Sequence, residues 1–133
     1  MKPVVLVTRK LPDAVEERLQ RDYQPILNPT DTLYTSEQII AMADGAAAKL
    51  PCHTAKFTSD VISRLPASVK IIANFSVGYD QVDTSAAKDH RLVVTNTPDV
   101  LSDSTAENTI MLILGAASRA SEGERLVRTR KWK

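Results

Sequence analysis

Glycine is scarce in this sequence of 133 residues, which has four, at positions 45, 78, 115 and 123. Those positions cannot form the G-x-G-x-x-G turn of dinucleotide-binding domains or the G-x-x-x-x-G-K-[ST] loop of phosphate-binding NTPases. Cysteine is scarcer, because Cys52 stands alone and excludes an intramolecular disulfide. The chain thus lacks both common nucleotide cradles, and we expect it to be a cytoplasmic protein of a reducing compartment.

Long hydrophobic runs are also absent. The longest apolar stretch, Ile110–Ala117, is less than half of the roughly 20 residues that a bilayer span requires. The apolar run near Val4 is too short for a secretory signal and lacks a small-residue cleavage site. One cysteine and two separated histidines supply no zinc ligand set. We therefore expect neither membrane association nor a metal site.

Charge is nearly balanced, with a net charge of +1, but it is unevenly distributed. Residues 119–133 contain six basic and two acidic side chains. A basic end of this kind can bind nucleic acid. Trp132 is the one aromatic residue among these charges, and this favours a solvated helix face over a stacking surface. We expect no nucleic-acid partner.

Apolar segments of two kinds alternate along the chain. The predicted strands are Val4–Val7, Tyr23–Leu27, Ala46–Leu50, Val69–Asn74 and Leu92–Thr95. The predicted helices begin near Pro12, Thr35, Thr58 or Ser59, and Asp83, and a long last helix runs from Ser104 to Arg128. This alternation with short links predicts the α/β class: a flavodoxin-like, doubly wound parallel sheet of about five strands that ends in a long helix. Pro25 removes a ladder donor and indicates an edge strand.

Ligands of open α/β sheets bind outside the carboxyl ends of the strands, which here are the loops beginning at Thr8, Leu50, Phe75 and Thr95. Within the third of these loops, Ser76-Val77-Gly78 can present consecutive backbone N–H groups to an anion. Glycine at position 78 permits a close approach or an unusual backbone angle. An ordinary strand-to-helix turn that uses glycine for its conformation explains the same residues. Both interpretations remain open on these residues alone.

Other reactive side chains carry weaker signals. His53 is predicted in a loop at a strand end, but no carboxylate or nucleophile stands at a recognisable spacing from it. His90 is predicted to close a helix, where it has a structural role. Cys52 is interpreted as a packed residue, because no nearby motif would lower its pKa. A phospho-receiver site is excluded because Thr8-Arg9-Lys10 stands where that site needs an acidic pair.

Four ordered segments together resemble one family. They are Asn74 to Asp83, Asn96 to Leu101, Thr105-Ala106-Glu107, and Arg119 to Trp132. The whole set is similar to the D-isomer-specific 2-hydroxyacid dehydrogenases, and most to the branch of glyoxylate/hydroxypyruvate reductase and D-glycerate dehydrogenase. The resemblance covers nearly the entire chain and favours the anion-binding interpretation of Ser76–Gly78.

The resemblance implies a substrate and a cofactor. Backbone N–H groups of Val77 and Gly78, with Ser76, would bind the carboxylate of a small 2-keto or 2-hydroxy acid. Leu50 and Pro51 would form a second, weakly matched wall of the substrate site. Thr105 and Val77 would lie near the nicotinamide of NAD or NADP. The complete enzyme would thus transfer hydride to acids such as hydroxypyruvate or glyoxylate.

Departures from the family pattern shape the remaining expectations. The family's substrate-binding Arg, its Glu and its proton-exchanging His have no counterpart among Arg9, Arg119, His53 and His90, so no catalytic residue is assigned. The chain is also expected to stop shortly before the family's glycine fingerprint. We therefore expect an N-terminal portion that is inactive alone and binds no dinucleotide tightly. The alternative is a freestanding α/β binding or dimerisation module.

The resemblance also implies a division of the chain. Residues 1–100 would form the substrate-binding domain, and residues 101–133 would form an interdomain and dimerisation helix leading into the missing nucleotide-binding domain. Ile110–Ala117 is apolar all round, and a helix of this kind needs burial on both sides. A homodimer through residues 104–128 follows as an expectation.

Overall fold

A computed structural model describes residues 1–131, so Trp132, the last residue of the family-like segments, lies outside the described residues. The strands are β1 (Val4–Val7), β2 (Gln24–Ile26), β3 (Ala48–Leu50), β4 (Ile71–Ala73) and β5 (Val93–Thr95). The helices are α1 (Asp13–Asp22), α2 (Ser36–Ala41), α3 (Ser59–Ser63), α4 (Thr84–Asp89), α5 (Ser102–Ala117) and α6 (Ala120–Arg128).

All five strands form one parallel sheet in the order β2-β1-β3-β4-β5. The order reverses direction between β1 and β3, as in doubly wound folds. Pro25 lies in the edge strand β2, where a missing N–H donor costs least, and the prediction of an edge position is confirmed. At the far side of the sheet, Ala73 of β4 pairs with Thr95 of β5. Consequently, the residues that follow these two strands emerge side by side.

Two apolar cores cover opposite faces of this sheet. Val5 and Val7 of β1 pack with Leu19 of α1 on one face. On the other face, a core of eight buried residues joins α2, α3 and α4 to β4: Ile39, Ala55, Phe57, Val61, Ile62, Ile72, Val82 and Ala87. The sequence prediction of a doubly wound parallel sheet with helices on both faces is confirmed.

One charged side chain is buried on the second face of the sheet. Lys49 of β3 is fully buried, and its Nζ donates to the carbonyl oxygen of Ile39 at 3.2 Å. Burial lowers the pKa of Lys49 from 10.5 to about 8, since the apolar surroundings disfavour the charged form. The alternation of strand side chains explains the position, because Ala48 and Leu50 point to the α1 core instead.

Short polar signals fix the helix starts as predicted. Thr35 caps α2 in a capping box, in which its hydroxyl accepts from Gln38 N while the Gln38 side chain accepts from Thr35 N. Thr58, rather than Ser59, caps α3 by accepting from Val61 N. Asp83 caps α4 by accepting from Ala86 N at 2.9 Å. This last cap begins α4 directly after the loop that follows β4.

The predicted long helix from Ser104 to Arg128 is wrong. The chain forms two helices, because α5 ends with Ser118 as its cap and Arg119 adopts a left-handed conformation with φ of 50°. A left-handed residue after the last turn is a common helix terminator. Arginine is a good helix former, so the sequence gives no warning of a break at this position. The helix α5 also begins two residues earlier than predicted, at Ser102.

The chain divides into two compact units, residues 1–98 and the residues from Asp99 onward. The assignment of substrate-binding and dimerisation roles to residues 1–100 and 101–133 remains a prediction. Within α5, Ile110 to Leu114 are each about 60% exposed. Among residues 1–131, none of the helices combines the length and apolar character that a membrane crossing needs.

Candidate functional site

Hydrogen bonds to three of its carbonyl oxygens hold the loop after β4 in place. The Ser76 carbonyl oxygen accepts from Thr97 N at 3.0 Å, and the Val77 carbonyl oxygen accepts from Asn96 Nδ2 at 2.7 Å. The Gly78 carbonyl oxygen accepts from Asn74 Nδ2 at 2.8 Å. Three successive carbonyl groups are therefore occupied by donors that belong to the fold.

The same bonds direct the N–H groups of this loop outward. In a trans peptide the carbonyl of one residue and the N–H of the next point in opposite directions, and the chain has no cis peptide bond among residues 1–131. With the Ser76 and Val77 carbonyls bound inward, the N–H groups of Val77 and Gly78 face away from those donors. Neither N–H donates to an acceptor within the described residues. Val77 is half-buried and Gly78 is exposed, so both donors are available to a ligand.

A network of hydrogen-bonded polar side chains also supports the loop. Asn74 is almost fully buried and donates to Ser76 Oγ at 2.6 Å as well as to the Gly78 carbonyl. Gln81 Nε2 donates in turn to Asn74 Oδ1 at 2.9 Å. Ser76 Oγ donates to the Gly78 carbonyl oxygen at 2.6 Å. Ser76, predicted as a substrate residue, thus also has a clear internal role.

The conformational explanation of Gly78 is wrong. Among residues 1–131, Gly45 is the glycine with a left-handed φ, and Gly78 is not in that region. A Cβ added at position 78 would meet only Asp80 Oδ2, at an ordinary contact distance of 3.4 Å. Neither backbone angle nor internal space therefore requires glycine here.

The second predicted wall lies beside this loop. Leu50 ends β3, and the carbonyl oxygen of Pro51 accepts from Phe75 N at 2.7 Å. The structure thus brings Leu50 and Pro51 next to Ser76–Gly78 at one edge of the sheet. Pro51 is fully buried, whereas Leu50 is half-buried. Thr105, predicted near a nicotinamide, lies in the first turns of α5 within the second compact unit.

The other reactive groups near these strand ends have partners or lie apart. Arg9 donates through Nε and Nη2 to both carboxylate oxygens of Asp31, at 2.7 and 2.8 Å. Because its guanidinium is occupied by Asp31, Arg9 fits the expectation that it is not the family's substrate-binding arginine. Burial raises the pKa of the Cys52 thiol, so Cys52 lacks the thiolate character of a nucleophile. His53 is exposed, and His90 caps the C-terminus of α4 as predicted.

The amide supports were missed in the sequence, although a signal exists. Asn74 and Asn96 each stand one residue after the end of a strand, and these two strands are neighbours in the sheet. Polar residues at equivalent strand ends come together in a parallel sheet. Gln81 carries no such signal, because its contact depends on the path of the intervening loop.

The donor set limits what this part of the chain can bind. Within residues 1–131, no group of three or more His, Cys, Asp or Glu side chains could hold a metal ion. The turn after β1 reads Thr8-Arg9-Lys10 and contains no glycine, so the described residues do not form a dinucleotide cradle. Two outward N–H groups fit a small carboxylate instead.

Comparison with known proteins places this chain in a family. Residues 5–129 match the model of the D-isomer specific 2-hydroxyacid dehydrogenase catalytic domain. The glycerate dehydrogenase of Hyphomicrobium methylovorum is 36% identical over 98% of this chain and 41% of its own length.

Two solved structures show the same similarity. A Polaromonas protein of the 2-hydroxyacid dehydrogenase class superposes with a TM-score of 0.83 and 36% identity, over 99% of this chain and 41% of its own. An NADPH-dependent glyoxylate/hydroxypyruvate reductase of Sinorhizobium meliloti has a TM-score of 0.79 and 30% identity, over 99% of this chain and 40% of its own. The chain spans about 40% of the length of the relatives that it matches. The chain belongs to the D-isomer specific 2-hydroxyacid dehydrogenase family.

Proposed function

We propose that this chain provides the substrate-carboxylate site of an NAD(P)-dependent oxidoreductase that acts on small D-2-hydroxy acids and their 2-keto forms. The observation that carries the proposal is the pair of outward N–H groups at Val77 and Gly78, which is fixed by the internally bound carbonyls of Ser76 and Val77. The reductase of Sinorhizobium meliloti was solved with NADP and malonate, a small carboxylate. This supports the same class of ligand here.

The chemistry of the loop suits an anion that must be oriented. Fixed N–H donors bind a carboxylate without a flexible side chain, so little entropy is lost on binding. Held in this way, the adjacent carbonyl carbon of a 2-keto acid would present one face to a hydride donor. Leu50 and Pro51 lie beside the loop, but the Leu50 side chain packs against the α1 core and Pro51 is fully buried, so neither is assigned a contact with the acid.

Binding and catalysis are divided in this proposal. The described residues contribute no dinucleotide cradle and no assigned acid or base, so hydride transfer would require a nucleotide-binding part that this chain does not supply. Two charge-assisted hydrogen bonds from neutral donors provide about 4 kcal/mol together, and the loss of translational and rotational freedom on association offsets part of this, so we expect a Kd of about 1 mM or weaker. The chain alone would therefore bind its acid weakly and turn nothing over.

We expect the purified 133-residue chain to bind oxalate, a stable analogue of a 2-keto acid, with a Kd of about 1 mM or weaker by calorimetric titration. Neutral oxamide has a similar shape but no carboxylate, and it should not bind. Incubation with NADH or NADPH and hydroxypyruvate should consume no nicotinamide above a blank. An enzyme-like rate, or equal binding of oxalate and oxamide, would contradict the proposal.

A further inference from the structure

The side chain of Asn96 occupies a special position relative to the loop. Its Nδ2 donates to the Val77 carbonyl oxygen at 2.7 Å, and Val77 and Asn96 are 19 residues apart in the chain. The peptide plane that carries this carbonyl also carries the Gly78 N–H on its opposite edge. A donor fixed on the carbonyl therefore sets the direction of the Gly78 N–H.

We propose that Asn96 is a positioning residue for ligand binding, which aims the Gly78 N–H at the carboxylate by holding the Val77 carbonyl from behind. This inference rests on the proposed carboxylate site and adds a residue that does not touch the ligand. The neighbouring bond from Thr97 N to the Ser76 carbonyl fixes the preceding peptide plane in the same way. Segment 96–97 thus orients two consecutive donors.

The register of the sheet explains why an asparagine at this position can reach the loop. Ala73 pairs with Thr95, and Asn74 N donates to the Thr95 carbonyl oxygen at 2.8 Å. The chain after β5 therefore runs directly alongside the chain after β4. Asn96 is half-buried, so its bond to Val77 is partly protected from competing water.

Asn96 offers a cleaner test than its neighbour Asn74. Asn74 is almost fully buried and makes several bonds, so its loss would disturb the fold as well as the loop. Within the described residues, the Asn96 side chain makes one hydrogen bond, to the Val77 carbonyl oxygen. Substitution of Asn96 by aspartate keeps the size, removes the Nδ2 donor and places a carboxylate oxygen against the Val77 carbonyl oxygen.

The matched control is Asn108→Asp. Asn108 Nδ2 donates to the Ser104 carbonyl oxygen at 2.9 Å within an exposed stretch of α5, so the same chemical change is made far along the sequence from the loop. A smaller variant, Asn96→Ser, avoids the added charge. It serves as the second test if Asn96→Asp does not fold.

Two readouts in ¹⁵N-labelled full-length chain test the proposal. We expect Asn96→Asp and Asn96→Ser to weaken oxalate binding about tenfold, while Asn108→Asp keeps the Kd of the unsubstituted chain. Without ligand, the amide resonances of Val77 and Gly78 should shift or broaden in the Asn96 variants and stay in place in Asn108→Asp. A merely structural role would lower the urea midpoint and leave the Kd of the folded fraction unchanged.

The outcomes separate this inference from the proposed function. Unchanged Val77 and Gly78 resonances in both Asn96 variants would overturn the positioning role, whatever binds. Shifted resonances in a chain whose unsubstituted form does not bind oxalate would support the positioning of the loop but contradict the carboxylate site. Shifted resonances with unchanged oxalate affinity would also overturn the inference.

Discussion

Substitution of Lys49 by methionine is expected to raise the free energy of unfolding at pH 7 by about 2–3 kcal/mol. The side chain is fully buried and its Nζ bonds to the Ile39 carbonyl oxygen. Burial lowers the pKa of Lys49 from 10.5 to about 8, and at about 1.4 kcal/mol per pKa unit this corresponds to about 3 kcal/mol. Methionine has a similar volume and carries no charge, but it forfeits a hydrogen bond of about 1 kcal/mol.

The stability difference between Lys49→Met and the unsubstituted chain should depend on pH in one direction. The pKa of Lys49 in the folded chain, about 8, lies below the ordinary value of 10.5 that applies after unfolding. Between these values the unfolded chain binds more protons, so the stability contributed by this site rises with pH. The advantage of Lys49→Met should therefore be full below pH 8 and disappear as the pH rises from about 8 to 10.5.

Urea unfolding of both chains at several pH values measures this difference. Lys70→Met is the matched control, because Lys70 is exposed and should show little change at any pH. A Lys49→Met chain that is less stable at pH 7, or an advantage that does not decline with pH, would contradict the buried-charge account.

Substitution of Gly78 by alanine is expected to separate binding from stability. The position has an ordinary φ, and a Cβ would make one contact, 3.4 Å from Asp80 Oδ2. Replacement of a glycine at a compatible backbone angle leaves stability unchanged or raises it by up to about 1 kcal/mol. The new methyl group would stand beside an N–H that donates to the ligand, and we expect oxalate binding to weaken at least tenfold.

Titration calorimetry and urea unfolding of the same preparation measure the two effects. Gly123→Ala is a suitable control, because a Cβ at this position in α6 meets nothing within 4 Å. It should leave oxalate binding unchanged. A Gly78→Ala chain that is strongly destabilised, or one that binds oxalate normally, would restore the explanation that this glycine serves the turn alone.

Much of the fold is predictable from the sequence because its signals are local. A strand forms within the predicted segment Ala46–Leu50, although alanine favours helix, but it is shorter than predicted and begins at Ala48. Strand ends are less predictable: Val69 and Lys70 precede β4 rather than belong to it. The helix break at Arg119 depends on a left-handed backbone angle, which an arginine in the sequence does not predict.

The candidate site was predictable in its position but not in its mechanism of support. Gly78 indicates the loop because a glycine after a strand permits a close approach of the backbone to a ligand. The hydrogen bonds that orient its N–H groups depend on the alignment of β4 with β5, and the asparagines at the two strand ends indicate them only once these strands are known to be neighbours. The bond from Asn96 to the Val77 carbonyl is therefore visible only in three dimensions.

Binding of a small carboxylate by the N–H groups of Val77 and Gly78 is the core of the proposed function. Its most direct test is a ¹⁵N–¹H correlation spectrum of the labelled chain during titration with oxalate. We predict saturable downfield shifts of the Val77 and Gly78 amide protons, with a common Kd of about 1 mM or weaker, and no such shifts with oxamide. Unchanged Val77 and Gly78 amides at saturating oxalate, or shifts of equal size with oxamide, would contradict the account.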